Sequence, residues 1–281
     1  MADVQSIDQP SLAEQSNEIA HVVGVMSGKG GVGKSLVTGL LACALRKAGH
    51  EVGILDADVT GPSIPKMFGI TQRPEMSELG IFPVKTRSGI RVISINLFLD
   101  KPDEAVIWRG PLISNTVKQF WQDVFWGKLD YLLVDLPPGT ADVPLTVMQS
   151  LPLDSVVIVT SPQELAAMVV RKAVDMCGKM NVPVLGLVQN MAWLKCPKCG
   201  DVIYPFGNSN GERIAREMGI PHLLDMPINP EISARCDAGT IEDYASNPIF
   251  DKIDLITNGL MAVKHARNTG VCDASDAPCR Q

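Results

Sequence analysis

An octapeptide near the N-terminus, Gly28-Lys29-Gly30-Gly31-Val32-Gly33-Lys34-Ser35, fits the pattern G-x-x-x-x-G-K-[ST]. Its glycines let the backbone curl so that successive N–H groups point at phosphate oxygens, and a helix starting near Lys34 adds its positive end. In this pattern Lys34 reaches the β- and γ-phosphates, and the Ser35 hydroxyl binds Mg²⁺. The octapeptide therefore predicts a nucleoside triphosphate site, and a purely structural glycine-rich turn is the alternative.

Three aspartates at the ends of apolar runs supply the carboxylates that phosphoryl transfer needs. Asp135 ends "YLLVD", the Walker B position, where an aspartate orients Mg²⁺ and its waters. Asp56 and Asp58 end "ILDAD", so that Asp56 could hold a metal-bound water and Asp58 could orient the attacking water. Helix capping is the alternative role for an aspartate at such a position.

A second lysine, Lys29, lies five residues before Lys34, where a phosphate loop needs only one. From this position it cannot easily curl onto the γ-phosphate of its own chain. It can reach the phosphates of a facing subunit, as an arginine finger does in trans. A solvated surface lysine is an equally good reading of the loop alone.

A pair of cysteines, Cys196 and Cys199, forms "CPKCG" in a segment that reads as a loop. A C-x-x-C turn brings two thiolates to one metal, whereas structural zinc and a [4Fe–4S] cluster both usually take four. A C2 homodimer would bring two pairs together and complete the set. Zinc, a cluster and a redox thiol pair all remain open on this evidence.

The other five of the seven cysteines carry less information. Cys43 and Cys177 lie in helical runs beside apolar neighbours, which favours core packing. Cys236 lies near a predicted helix end and reads as structural. Cys272 and Cys279 are either incidental thiols of the C-terminal tail or auxiliary ligands.

These residues must be held by strands and helices that alternate along the chain. Apolar runs without polar alternation predict buried strands of a parallel sheet, at 21–26, 51–58, 91–97, 131–137, 155–161 and 182–191. Helical stretches are expected at 35–48, 114–126, 163–180, 208–218 and 249–266. The pattern predicts an α/β fold, a doubly wound, mostly parallel sheet with helices on both faces. We expect a flexible polar leader (1–20), one ATPase domain (21–267) and a disordered tail (268–281).

Composition narrows the class of protein. The net charge of −6 argues against a nucleic-acid binder that relies on an overall positive field. No apolar run approaches the length of a membrane span, and the first 20 residues carry no targeting pattern, so we expect neither membrane nor nucleic acid as partner and a cytoplasmic location.

The loop "KGGVGKS" resembles the deviant Walker A motif of the MinD, ParA and nitrogenase-iron-protein class of ATPases. Within that class the chain resembles the Mrp/ApbC (Nbp-type) iron–sulfur cluster carrier ATPases, on segments that run in family order from about residue 22 to 250. These segments are "GKGGVGKS", "LDADVTGPSIPKMFG", "VIWRGP", "LDYLLVDLPPGTADV", "VTSPQELA", "VLGLVQNM" and "CPKCG". The resemblance implies that Lys29 acts across a dimer and that Cys196 and Cys199 hold a bridging, labile [4Fe–4S] cluster.

The resemblance also implies roles that the residues alone do not. Asn190 of "VQNM" would contact the adenine base, and Pro227 and Asn229 of "MPINPE" would close over it. Arg109 of "WRGP" would serve a switch or a partner contact. Leu36 departs from the family, which usually has threonine there and so an additional hydroxyl near the α-phosphate.

The function implied is an ATP-hydrolysing carrier that passes its cluster to apo iron–sulfur proteins. The alternative is a MinD- or ParA-like positioning or partition ATPase with zinc at its cysteine pair. That alternative predicts a basic surface for membrane or DNA, and the positioning or partition activity itself gives no reason for a cysteine pair.

Overall fold

Strands and helices alternate along the chain in the computed structural model, which describes residues 11–58, 63–78, 80–98, 110–163 and 166–269. The strands are β1 (Glu18–Ser27), β2 (Val52–Asp56), β3 (Glu75–Ser77), β4 (Gly80–Phe82), β5 (Val84–Lys85), β6 (Arg91–Ser94), β7 (Lys128–Asp135), β8 (Ser155–Thr160), β9 (Val184–Lys195), β10 (Val202–Ile203) and β11 (His222–Pro227). The helices are α1 (Leu12–Ser16), α2 (Lys34–Lys47), α3 (Ser63–Met67), α4 (Gly110–Asp123), α5 (Asp142–Gln149), α6 (Ala166–Lys179), α7 (Gly211–Met218), α8 (Pro230–Asp237) and α9 (Ile253–Thr269).

The main sheet has the strand order β10-β9-β8-β1-β7-β2-β6-β5, and β11 also pairs with β9. The pairs among β1, β2, β6, β7, β8, β9 and β11 are parallel, while the short strands β5 and β10 pair antiparallel with their neighbours. Val25 pairs with Asp135 and Asp56 pairs with Asp135, so the ends of β1, β2 and β7 meet at one edge. The predicted α/β, mostly parallel fold is confirmed.

Both faces of the sheet are covered, which explains why the strands read as continuous apolar runs. Along β1, Val23 and Val25 belong to one apolar cluster with α2, α8 and α9. Val22 and Met26 belong to the opposite cluster with α4, α5, α6 and α7. The central strands therefore end between two packed layers, which holds their C-terminal residues rigidly.

Several boundaries differ from the predicted ones. Strand β1 begins at Glu18, before the predicted boundary at residue 21, and Leu12–Ser16 is helical with Ala13 buried. Because Ala13 packs and Asn17 hydrogen-bonds to the carbonyl of Val124, the described part of the expected leader is ordered. The predicted strand over 91–97 is shorter than expected, because residues 95–98 form a 3₁₀ turn.

Some predictions concern residues that lie outside the described ranges. They are the leader before residue 11, Arg109, and the tail cysteines Cys272 and Cys279. Helix α9 runs to Thr269, slightly beyond the predicted end of the ATPase domain. Among the described residues, no helix is both long and apolar enough to cross a bilayer.

Candidate functional site

The glycine-rich loop connects β1 to α2 at the C-terminal edge of the sheet. Gly31 and Gly33 have φ values of 78° and 86°, the left-handed region that glycine enters without a steric penalty. A Cβ at Gly30 or Gly31 would meet nothing within 4 Å, so this stretch of backbone faces open space. Helix α2 begins at Lys34, so its free N–H groups point toward the same space.

Lys34 is only 5% exposed and carries the cation of the site. Its Nζ lies 2.8 Å from Asp135 Oδ2 and 3.2 Å from Asp58 Oδ2. Burial alone would lower the pKa of Lys34, but the carboxylates of Asp135, Asp58 and Asp56 outweigh it and raise the pKa. The lysine is therefore held in its charged form.

Asp135, at the end of β7, is fully buried and has both carboxylate oxygens engaged. Its Oδ2 accepts a hydrogen bond of 2.5 Å from the Ser35 hydroxyl, and its Oδ1 accepts one of 2.7 Å from Thr38. Two residues of α2 therefore orient this carboxylate toward the phosphate loop.

Asp56, at the end of β2, is the third acidic group of the site. Its Oδ2 accepts a 2.8 Å hydrogen bond from the Ser94 hydroxyl, and its Oδ1 accepts one of 3.1 Å from the backbone N–H of Asp58. Burial, together with the Asp135 carboxylate, raises the pKa of Asp56 well above its usual range. Asp56 and Asp135 are both buried and end neighbouring strands, so their carboxylates repel each other unless a cation lies between them.

A cleft of about 600 Å³ opens above these groups. Ten of the predicted site residues line it: Gly30, Gly31, Gly33, Lys34, Ser35, Leu36, Asp58, Asn190, Pro227 and Asn229. Cys236 also lines it, together with Met67, Ile228 and Ile232. The cleft thus has a polar floor at the phosphate loop and an apolar wall from α3 and α8, which suits a nucleotide with one charged and one flat apolar end.

Gly28, Lys29 and Val32 are the loop residues that do not line the cleft. Gly28 packs against α6, where a Cβ would lie 2.0 Å from Val169 Cγ1. The exposed Lys29 side chain turns away and its Nζ donates a hydrogen bond to Gln163 Oε1. Lys29 is thus at the surface of the subunit and outside its own phosphate cleft.

Asn190 connects strand β9 to the loop. Its Nδ2 donates a 2.8 Å hydrogen bond to the carbonyl of Val32, and its Oδ1 accepts one of 2.9 Å from the backbone N–H of Met191. Met191 has a φ of 60°, which is unusual for a residue other than glycine, and the pairing of β9 with β11 shifts register there. Asn190 thus fixes both the phosphate loop and a kink in β9.

The cysteine pair follows the end of β9, at the tip of a short hairpin. Strand β10 returns antiparallel, with Val202 opposite Lys195. The backbone N–H groups of Cys199 and Lys198, followed by the Cys199 side chain and the Gly200 N–H, favour negative charge on the Cys196 sulfur and lower the pKa of its thiol. The Cys199 Sγ lies 3.1 Å from Asp201 Oδ2. Cys199 is exposed and Cys196 is partly exposed, so both thiols are accessible to a metal.

Within the described ranges, no group of three or more Cys, His, Asp or Glu side chains is arranged to hold a metal ion. The hairpin therefore offers two thiolate ligands from one chain. Large apolar side chains beside it are 43–51% exposed: Val202, Ile203, Tyr204 and Phe206. An exposed apolar patch of this kind commonly marks a contact surface.

The remaining cysteines are distributed as follows. Cys177 is fully buried, and burial raises the pKa of its thiol to about 12. Cys43 is partly buried against the apolar cluster around α2, and its thiol pKa is likewise raised to about 12. Cys236 lies in α8 against the same cluster, and it also lines the nucleotide-sized cleft, which the sequence did not indicate.

Four site residues escaped the sequence analysis. Thr38 and Ser94 orient Asp135 and Asp56, Gln163 holds Lys29, and Met191 forms the kink. Thr38 could have been found, because it lies one helical turn after Lys34 on the same face of α2. The other three depend on contacts between segments far apart in sequence.

Comparison with known proteins shows the relatives of this chain. The family model described as NUBPL iron-transfer P-loop NTPase, of the ParA type, matches residues 18–261. An iron-sulfur cluster carrier protein from Clostridium perfringens is 45% identical over 251 residues, which cover 86% of this chain and 88% of that protein. The cytosolic Fe-S cluster assembly factor NUBP2 of Bos taurus is 42% identical, covering 87% of this chain and 93% of that protein.

Solved structures of similar proteins agree with this family and with the fold. A nucleotide-binding protein from Archaeoglobus fulgidus, in complex with ADP, is 46% identical with a TM-score of 0.73, covering 80% of this chain and 89% of that one. The cell division ATPase MinD of Pyrococcus furiosus, at 20% identity and a TM-score of 0.61 over 87% of this chain and 99% of that one, shares the fold. By the extent of these matches and the phosphate loop that they include, the chain belongs to the NUBPL family of iron-transfer P-loop NTPases.

Proposed function

We propose that this protein is an ATP-binding and ATP-hydrolysing carrier that holds a labile [4Fe–4S] cluster between two subunits and passes it to apo iron–sulfur proteins. One observation carries the proposal: two accessible thiols, half of a cluster's usual ligands, directly follow the strand that contacts the phosphate loop. Relatives that carry the name iron-sulfur cluster carrier protein at 43–45% identity support it.

The residues around the phosphate loop fit Mg²⁺ together with ATP. The site offers hard oxygen donors, the Ser35 hydroxyl and the carboxylates of Asp56 and Asp135, which are the ligands Mg²⁺ prefers. A Mg²⁺ ion held here would supply positive charge against the phosphate oxygens. Ser35 would bind it directly, Asp135 and Asp56 would hold its waters, and the raised pKa of Asp56 indicates that the site favours added positive charge.

Lys34 and the loop amides would bind the phosphates. The backbone of Gly30, Gly31 and Gly33 lines the cleft without Cβ atoms that would block a close approach. Gly28, Val32 and Leu36 would shape the two ends of the loop. Because the Lys34 ammonium is buried among carboxylates, its charge is already desolvated and directed at the cleft.

Hydrolysis needs an oriented water and a cation near the γ-phosphate. Asp58 faces the cleft beside Lys34 and would orient the water. Lys29 lies at the surface, outside the cleft of its own subunit, which is consistent with action on a facing subunit's nucleotide. We propose that hydrolysis therefore requires the homodimer.

Asn190 and Pro227 both line the cleft, and we propose that they contact the base. The Asn190 amide already donates to Val32 and accepts from Met191. Its carbonyl oxygen has a second lone pair and its nitrogen a second hydrogen, so both can still serve an adenine edge.

The cargo would lie between two hairpins. Each subunit would supply Cys196 and Cys199, and the exposed apolar side chains around the hairpin would shield the cluster from water. Zinc bound by the same four thiolates is the competing occupant, since it also takes tetrahedral sulfur. We place the protein in the cytoplasm, with no membrane or nucleic-acid partner. The MinD- or ParA-like alternative has the shared fold alone in its support.

Anaerobic reconstitution with iron and sulfide tests the proposal. We expect about four iron and four sulfide per dimer, with a broad visible absorption band. The Cys196→Ala and Cys199→Ala variants should lose the bound iron and sulfide. The Cys177→Ala variant, which changes a buried cysteine, should retain them. If the wild-type dimer instead binds zinc through the same four thiolates and contains no sulfide, the cluster is rejected in favour of zinc.

A further inference from the structure

Helices α3 and α8 end in the same way, each with a glycine in the left-handed conformation. Gly69 follows α3 with a φ of 64°, and Gly239 follows α8 with a φ of 69°. Both ends are Schellman motifs, in which two N–H groups beyond the helix donate to carbonyls of its last turn: Gly69 to Lys66 and Ile70 to Pro65 after α3, Gly239 to Cys236 and Thr240 to Arg235 after α8.

The two glycines are in backbone contact with each other. A Cβ atom at Gly239 would lie 2.6 Å from Gly69 Cα and 2.9 Å from Gly69 N. A Cβ atom at Gly69 would lie 2.9 Å from the carbonyl oxygen of Gly239. These neighbours are backbone atoms, which cannot rotate aside as a side chain can. The ends of α3 and α8 can therefore touch only because neither position carries a side chain.

The helices joined by this contact form the apolar wall of the nucleotide-sized cleft. Met67 of α3 and Ile232 of α8 line the cleft and belong to the same apolar cluster. Cys236, in the last turn of α8, lines the cleft as well. Gly69 and Gly239 are not among the residues that line it. They hold the wall from outside the cleft.

A second link between the two helices is weak. Lys66 Nζ lies 3.7 Å from Asp237 Oδ1, but both side chains are exposed, at 64% and 74%. An exposed pair of this kind contributes little to stability. The position of the wall therefore depends mainly on the Gly69–Gly239 contact and the apolar cluster.

We propose that the Gly69–Gly239 contact positions the wall that packs against the nucleoside part of ATP, so that both glycines contribute to nucleotide affinity without touching the nucleotide. This inference rests on the proposed function, which places ATP in the cleft. Lys34 and the loop amides bind the triphosphate from another side, and they are independent of α3 and α8. Dispersion attraction weakens steeply with distance, so a wall displaced by roughly 1 Å loses much of its contact with a base.

Titration of the full chain with ATP and with inorganic tripolyphosphate, which lacks the nucleoside, tests the proposal. In Gly239→Ala the helix ends must separate by roughly 1 Å to reach an ordinary contact distance. We expect calorimetry with Mg²⁺ to show a loss of ATP affinity of about tenfold or more, the scale on which an apolar pocket discriminates. Tripolyphosphate affinity should stay within about twofold, because the phosphate loop is a separate site. Gly69→Ala, which meets the same contact from the other side, should give the same pattern.

Gly49→Ala separates the contact from backbone strain. Gly49 closes α2 with the same motif and has a φ of 97°, but a Cβ atom there would meet nothing within 4 Å. This variant has the strain of a left-handed alanine without the clash, so both affinities should match those of the wild type.

Three results would overturn the role of the contact and leave the nucleotide site intact: unchanged ATP affinity in Gly239→Ala and Gly69→Ala, an equal loss of ATP and tripolyphosphate affinity in both, or the same loss in Gly49→Ala. A wild-type chain that binds neither ATP nor tripolyphosphate would overturn the proposed function and this inference together.

Discussion

The side-chain nitrogen of Asn190 lies so close to Gly33 that a Cβ atom at position 33 would be only 2.1 Å from Asn190 Nδ2. Gly33 also has a φ of 86°, a conformation that is sterically unfavourable for residues with a Cβ atom. Two independent constraints therefore require glycine at this position. The close approach lets Asn190 reach past Gly33 to the carbonyl of Val32.

Gly33→Ala should disrupt the phosphate loop while leaving the rest of the fold in place. The left-handed conformation costs about 1–2 kcal/mol for alanine, and displacing Asn190 loses a buried hydrogen bond worth about 1 kcal/mol. We expect nucleotide affinity to fall by roughly 30-fold or more, measured by calorimetric titration. Gly39→Ala in α2 is the control, because its Cβ meets only ordinary contacts and should stabilise the helix. Unchanged affinity in Gly33→Ala would show that Asn190 is free to move.

Lys34→Ala should cost both binding and stability. It removes the buried cation between Asp135 and Asp58, and breaking a buried pair in this way lowers the free energy of unfolding by about 3–5 kcal/mol. We expect nucleotide binding to be abolished. Chemical denaturation and titration measure the two effects, with the exposed Lys179→Ala as control. Retention of nucleotide binding would contradict the role of Lys34.

Lys29→Ala should separate binding from hydrolysis. Because Lys29 lies outside its own cleft, ATP affinity should stay within about twofold of the wild type, while turnover falls on the order of a thousandfold, as when a cation that acts in trans is lost. Mixing Lys29→Ala with an excess of a Lys34→Ala chain gives a sharper test. In the mixed dimer an intact Lys29 faces the nucleotide bound by its partner, so activity should return. Equal loss of affinity and turnover in Lys29→Ala would argue for a role within one subunit.

The raised pKa of Asp56 gives a pH dependence with a definite sign. The folded chain holds its proton more tightly than the unfolded chain does, so Asp56 lowers stability as pH rises above the ordinary carboxyl range toward its folded-state pKa. Asp56→Asn should therefore be more stable than the wild type at pH 7 without Mg²⁺ or nucleotide. The difference should shrink as pH falls to about 4, near the ordinary carboxyl pKa. Urea titrations across that range measure it, and a gap that grows toward low pH would contradict the assignment.

The sequence predicted the elements that bury long apolar runs and missed those that do not. Strands β1, β2, β7, β8 and β9 were found because both faces are buried, so their composition is dominated by a single requirement. The short strands β3, β5 and β10 are exposed or only partly buried and carry no such pattern. The short helix α3 packs its apolar residues against α8 and α2, and it is too short to show a helical pattern in the sequence.

The candidate site shows the same division. Lys34, Ser35, Asp56, Asp58 and Asp135 could be predicted, because each occupies a set distance from the end of a strand. Thr38, Ser94 and Gln163 could not be assigned roles, since a hydroxyl or amide becomes meaningful only when the fold brings a carboxylate or lysine beside it. The positive φ of Met191 accompanies its hydrogen bond to Asn190 Oδ1 and the register shift against β11. No local sequence pattern predicts that shift.

Strand β9 carries Asn190 against the phosphate loop and ends one residue before Cys196. Cys196 lies six positions after Asn190, so the loop and the first thiol are roughly 20 Å apart along an extended backbone. Direct electrostatic influence fades over about 8 Å in physiological salt, so the charge of a nucleotide is little felt at the thiols. Any signal between the two ends must then travel as a mechanical displacement of the strand, and Trp193, between them, is a built-in fluorescent reporter of that motion.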